Sequence, residues 1–104
     1  MLNNNSKIFD LLPLEFYLSQ NYPNPFSEKT TIKFCVPYRT RVQLAVYNSE
    51  SELIEKLVDE EKLPGTYEVI FQAVVDSKQM AIGDYYYRFK AGDFTIEKSM
   101  QKIS

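Results

Sequence analysis

The run Ser19-Gln20-Asn21-Tyr22-Pro23-Asn24-Pro25-Phe26 restricts this chain more than any other stretch. Its two prolines fix two φ angles, remove two N–H donors and push Tyr22 and Asn24 out of the α region. Helix and inner strand are both excluded there. What remains is one extended, turning path, set before anything has packed, with Tyr22 and Phe26 placed to anchor it on an apolar surface. Since the residues beyond it alternate as strands do, the run reads as the entry clamp of a β-domain.

The alternation starts at once. Thr30–Val36 puts Ile32, Phe34 and Val36 on one face and Thr31, Lys33 and Cys35 on the other, until Pro37 stops it. Over 41–48, Val42, Leu44 and Val46 face inward, with Arg41, Gln43 and Tyr47 outward. Asn48-Ser49-Glu50-Ser51 has the side chains of a hairpin turn, and 53–58 is the returning strand. Asp59-Glu60-Glu61-Lys62 reads as a solvated loop. After the turn dipeptide Pro64-Gly65, a strand over 66–73 aligns Tyr67, Val69 and Phe71, and 76–79 is loop-like. Gly83 permits a close or positive-φ backbone before 84–91, where Tyr85, Tyr87 and Phe89 oppose Tyr86, Arg88 and Lys90. Ala91-Gly92-Asp93 turns the chain into a last strand over 94–100.

Upstream of the clamp, 14–18 reads as a short edge strand. Residues 1–12 form a leader or flexible arm, with Ile8, Phe9, Leu11 and Leu12 at roughly helical spacing. The domain is then 13–104. About seven short, regularly spaced strands and no sustained helical period give an all-β fold, an antiparallel β-sandwich of the Ig-like or fibronectin-like kind.

The chemistry available is sparse. With no histidine among 104 residues, the commonest general base and a frequent metal ligand are missing. Cys35 has no histidine to activate it and reads as a small residue on a sheet face. Glu50, Glu52 and Glu55, like Asp59, Glu60 and Glu61, cluster in turns without an Asp-x-Asp-x-Asp loop, which argues against a Ca²⁺ site. Three scattered glycines cannot build a phosphate loop. The expectation is no catalytic residue, no metal, no cofactor and no small-molecule substrate. A net charge of −2 offers nothing to nucleic acid, and no apolar run spans a bilayer. In Tyr85-Tyr86-Tyr87, two core tyrosines flank one exposed ring.

The words 18–26 (Leu-Ser-Gln-Asn-Tyr-Pro-Asn-Pro-Phe) and 30–34 (Thr-Thr-Ile-Lys-Phe) resemble the start of the C-terminal sorting domain of type IX secretion substrates. That family is similar to the Ig-like domain of the flagellar hook-capping protein. The resemblance continues through Val36-Pro37, 42–47, 57–59, 64–67, 83–89 and 91–94, covering roughly 13–104. Ser51 stands where the family usually has a turn glycine, Phe71 where it has tryptophan, and Gln101 and Lys102 where apolar residues are common.

The resemblance implies a non-catalytic module that directs cargo to an outer-membrane translocon. Its protein partner would read the terminal strands, with Gly83, Tyr85, Tyr86, Lys98, Met100 and Ser104 as candidate contact residues and Tyr22, Pro23, Asn24, Pro25 and Phe26 as the structural motif. A longer, signal-bearing precursor would take it through the periplasm to the cell surface; if Met1 is the true start, the chain is cytoplasmic. An alternative keeps the fold but makes it a small interaction subunit of a larger complex. A third is a carbohydrate-binding or adhesive module using Tyr38, Tyr47 and Tyr86.

Overall fold

The computed structural model describes residues 12–75 and 78–104. The expected arm 1–12 therefore lies outside the described residues except for Leu12, and Asp76 and Ser77 lie outside them too. Among the described residues the strands are β1 (Tyr17–Leu18), β2 (Lys29–Val36), β3 (Thr40–Asn48), β4 (Leu53–Lys62), β5 (Gly65–Gln72), β6 (Val74–Val75), β7 (Lys78–Gln79), β8 (Gly83–Ala91) and β9 (Phe94–Lys102). One sheet has the order β1-β2-β5 and the other β4-β3-β8-β9, so seven antiparallel strands make the expected sandwich. A small β6–β7 ladder sits beside it.

Residues two apart share a sheet face, and that rule builds the core. Ile32, Phe34 and Val36 from β2, Val42, Leu44 and Val46 from β3, and Tyr87 and Phe89 from β8 are completely buried. Phe89 is the aromatic hub, with ring centroids 5.2 Å from Phe34, 5.9 Å from Phe94 and 6.5 Å from Phe16. Phe16 closes that end of the sandwich against Tyr38 and Phe94. The other end is closed by Phe26 packed edge-on against Phe71 at 6.1 Å.

Four expectations change. The first edge strand shrinks to Tyr17–Leu18, because Leu14 is 92% exposed and has no apolar surface to cover. The run Asp59–Lys62 is strand rather than loop, and it pairs with Thr40–Gln43. Cations facing it explain this: Arg41 lies 2.8 Å from Asp59, and Arg39 lies 2.8 Å from Glu61. Their hydrogen bonds hold both carboxyls below the usual carboxylate range, while an edge strand leaves Glu60 and Glu61 facing water. Lys78–Gln79 pairs with Val74–Val75 instead of looping. Finally, only one clamp aromatic anchors: Phe26 is 1% exposed and Tyr22 is 79% exposed. The backbone of Tyr22, bonded both ways to Thr31, already fixes that corner without its ring.

At the β3–β4 turn, the Asn48 side-chain oxygen accepts from the N–H groups of Glu50 and Glu52, as its turn role requires. Ser51 then sits at φ 66°, in the left-handed region, where a Cβ costs roughly 1–2 kcal/mol. Ser51→Gly is expected to raise stability by about 1 kcal/mol, read as a higher urea midpoint at unchanged slope. The loss of the exposed Tyr86–Ser51 hydroxyl contact at 3.2 Å offsets little of it.

Tyr87 links the clamp region to the core by donating its hydroxyl to the Ser19 carbonyl at 2.6 Å. Burial pushes its phenol up to about 12, against the pull of the Asn21 backbone amide. A phenol ordinarily ionises near 10, so the folded state favours neutral Tyr87. That contribution is complete below pH ~10 and is lost as the pH rises towards ~12. Absorbance titration should show Tyr87 ionising after the exposed tyrosines, and Tyr87→Phe should flatten the alkaline fall in stability.

Candidate functional site: the clamped terminal strand

The last strand, β9, is an edge of the four-stranded sheet, paired on one side with β8 from Phe94 to Lys102. In an antiparallel edge strand, alternate residues send their N–H and C=O groups away from the sheet. Here those residues are Thr95, Glu97, Ser99 and Gln101, continuing to Ile103.

The proline-rich clamp occupies the C-terminal half of that outer edge. The Phe26 N–H donates to the Gln101 carbonyl at 3.0 Å, and the Ile103 N–H donates to the Phe26 carbonyl at 2.8 Å. These two bonds make a parallel bridge between Phe26 and Lys102. The Gln101 N–H donates to the Asn24 side-chain oxygen at 3.0 Å, and the Gln20 side chain donates to the Ser99 carbonyl at 2.7 Å. The two ends of the domain are thus side by side. Among the described residues nothing pairs with the outward groups of Thr95 and Glu97, so this shorter stretch is the open part of the edge.

The clamp holds its own shape through a buried network. Asn21, 2% exposed, donates its amide to Thr30 Oγ1 at 3.0 Å and to the Pro23 carbonyl at 3.2 Å. Thr30, also buried, donates its hydroxyl to the same carbonyl at 2.7 Å. Every buried polar atom there finds a partner, which is why so short a segment keeps one path.

The candidate contact residues fall in two places. Gly83, Tyr85, Met100 and Ser104 gather at the clamp end: Gly83 lies opposite Lys102, and Tyr85 lies opposite Met100. Gly83 has φ 145°, which a side chain would strain. Tyr85 and Met100 face inward at 7% and 2% exposed, and Tyr85 donates its hydroxyl to the Ala81 carbonyl at 2.6 Å. Ser104 is exposed, its hydroxyl 3.4 Å from that of Ser27. Lys98 is half-buried opposite Tyr87. Lys102, where an apolar residue is common, is buried at 1% exposed.

Tyr86 is apart from these, on the outer sheet face, where it stacks on Tyr47 at 5.1 Å with the Arg88 guanidinium over both rings. Tyr38 packs on Phe16 instead, so Tyr38, Tyr47 and Tyr86 form no common platform. Gln20 and Asn24 were missed as tail-holding residues. Their only sequence signal was a place in the clamp, and local pattern says nothing of a partner so distant.

Cys35 is half-buried, its sulfur 3.5 Å from the Thr66 hydroxyl. Among the described residues there is no cluster of three or more His, Cys, Asp or Glu suited to a metal ion. None of them forms a helix long and apolar enough to cross a membrane.

A family model described as "Secretion system C-terminal sorting domain" matches residues 20–103, from the first clamp side chain that touches β9 to the last clamped amide. No curated protein matches the sequence. Among solved structures, the chain is similar to dimeric latent PorU from Porphyromonas gingivalis, with TM-score 0.65 and 14% identity over 86% of this chain. It spans only 10% of the PorU chain, and at that identity the likeness shows a shared fold. With the family match covering the sandwich from clamp to tail, the chain belongs to the type IX secretion C-terminal sorting domains.

Proposed function

We propose that the chain works as a non-catalytic sorting module whose β9 edge and exposed tail are the parts read by the secretion machinery. The observation carrying this reading is the position of β9. The strand nearest the C-terminal end of the matched region is a sheet edge, with Thr95 and Glu97 open and the residues after them held by the clamp. A machine that reads by strand addition needs such a row of free backbone groups. In this reading Gly83, Tyr85 and Met100 shape the end of the sheet from within, while Ser104 and the Glu97 backbone are available to a partner. Cargo bearing the module would pass from the periplasm to the outer membrane.

The test is a fusion of residues 13–104 behind a signal peptide and a reporter in a host competent for type IX secretion. The expected result is reporter in the medium or on the cell surface. A reporter retained in the periplasm, as without the domain, refutes the reading.

A second reading, an interaction subunit on the same fold, is favoured by the opposite side of the sandwich. There β5 is an edge strand carrying Glu68 as its one charge, with Ile70 54% exposed. Unlike β4, it has neither a bulge nor a charged run to discourage pairing. Sedimentation of the chain at rising concentration discriminates: Ile70→Lys should abolish any association made through this edge, and a monomer at every concentration removes self-association from the reading.

A further inference from the structure

The outer face of the four-stranded sheet holds a dent that the sorting role does not use. Its floor is Ala45, whose register partners are Lys56 on β4 and Arg88 on β8. The residues two positions along β3, Gln43 and Tyr47, stand on the same face. One small side chain is thereby ringed by four long ones. A register shift between Leu44 and Ala45 leaves Leu57 as an extra residue on β4 and widens the ladder at this point. The dent is open to solvent, with a volume of about 310 Å³, and Lys90 and Asp59 also line it.

The charges there run against those of the molecule. Lys56, Arg88 and Lys90 face one carboxylate, Asp59, in a chain of net charge −2. Asp59 is already engaged by Arg41 at 2.8 Å, by Gln43 at 3.4 Å and by Lys56 at 3.7 Å, the last a long pair whose exposed ammonium keeps donors for a second carboxylate. Arg88 is fixed in place by Glu97 at 2.6 Å and by the Tyr47 ring beneath it, 4.9 Å from the guanidinium carbon. One guanidinium nitrogen reaches the Tyr47 hydroxyl only at 3.5 Å, so donors remain to spare. Lys90 has no acidic partner among the described residues.

We infer that this dent is a binding site for a small carboxylate on a hydroxylated body, a hexuronic acid unit. The carboxylate lies over Ala45 between Lys56 and Arg88, and hydroxyls meet Gln43, Lys90 and Thr95. Gln43 and Thr95 set uncharged hydrogen-bonding groups beside the cations, which the hydroxyls of a sugar acid can use and an acidic side chain of a peptide does not need.

The test is amide-resolved NMR titration of the full chain with glucuronate, glucose and N-acetylglutamate. Glucuronate should shift the amides of Gln43, Ala45 and Lys90 saturably, more weakly at high salt, and glucose should not. Lys56→Gln with Lys90→Gln should weaken binding by about tenfold. Ala45→Leu should abolish it by filling the floor, and the double charge variant keeps the test valid if that change disturbs folding. The assignment is overturned if glucuronate shifts none of these amides, if glucose shifts them equally, or if N-acetylglutamate binds as tightly as glucuronate.

Discussion

Phe26→Ala is expected to destabilise the domain by about 3–5 kcal/mol, the usual cost of deleting a fully buried phenylalanine. Phe26 is 1% exposed and closes its end of the sandwich on Phe71. Its backbone also carries the two bonds that hold Gln101 and Ile103. The side chain therefore anchors the segment that secures the tail, and the second effect follows from the first. In hydrogen exchange, the Gln101 and Ile103 amides should lose protection well before the β3 and β8 amides do, because the clamp can lift while the sheets persist. Uniform loss across all strands would refute this division of labour.

Phe89→Ala provides the matching case. Phe89 is completely buried and touches the rings of Phe34, Phe94 and Phe16 from the middle of the sandwich. Its removal should also cost about 3–5 kcal/mol, measured by urea unfolding. Here, though, Gln101 and Ile103 should exchange together with the rest of the domain, since no clamp contact is lost. Two variants of equal global cost would thus differ in how far the tail is exposed. In the secretion assay, only Phe26→Ala should change export beyond what lower stability predicts.

Much of this was legible in the residues. The inward faces of β2, β3 and β8 follow from alternation alone, since a period of two leaves no choice once one face is apolar. Asn48 announced its turn, and the Tyr85–Tyr87 run resolved into two buried rings and one on the outer face. The failures share a cause. Asp59–Lys62 resembles a loop when its charges are taken alone, without Arg39 and Arg41 opposite. Tyr22 reads locally as an anchoring ring because nothing nearby reveals that its backbone, bonded to Thr31, holds the corner. The pairing of Asn24 and Phe26 with the tail was hidden for the same reason: a register between distant segments is fixed by the assembled sheets.

The hydrogen bond from Gln101 to Asn24 closes a loop of chain across 77 positions. Contacts this remote are the slowest to form, because the entropy of ring closure must be overcome before any bond rewards it. The clamp precedes β9 in the chain and has nothing to grip until that strand is in place, so the sandwich is finished only when β9 docks. A copy truncated after Ser99 loses Met100 from the core and leaves the Phe26 backbone without its partners at Gln101 and Ile103, while its ring still meets Phe71. The closed ring thus forms only once β9 has docked, and it separates a finished sandwich from one interrupted within its last strand.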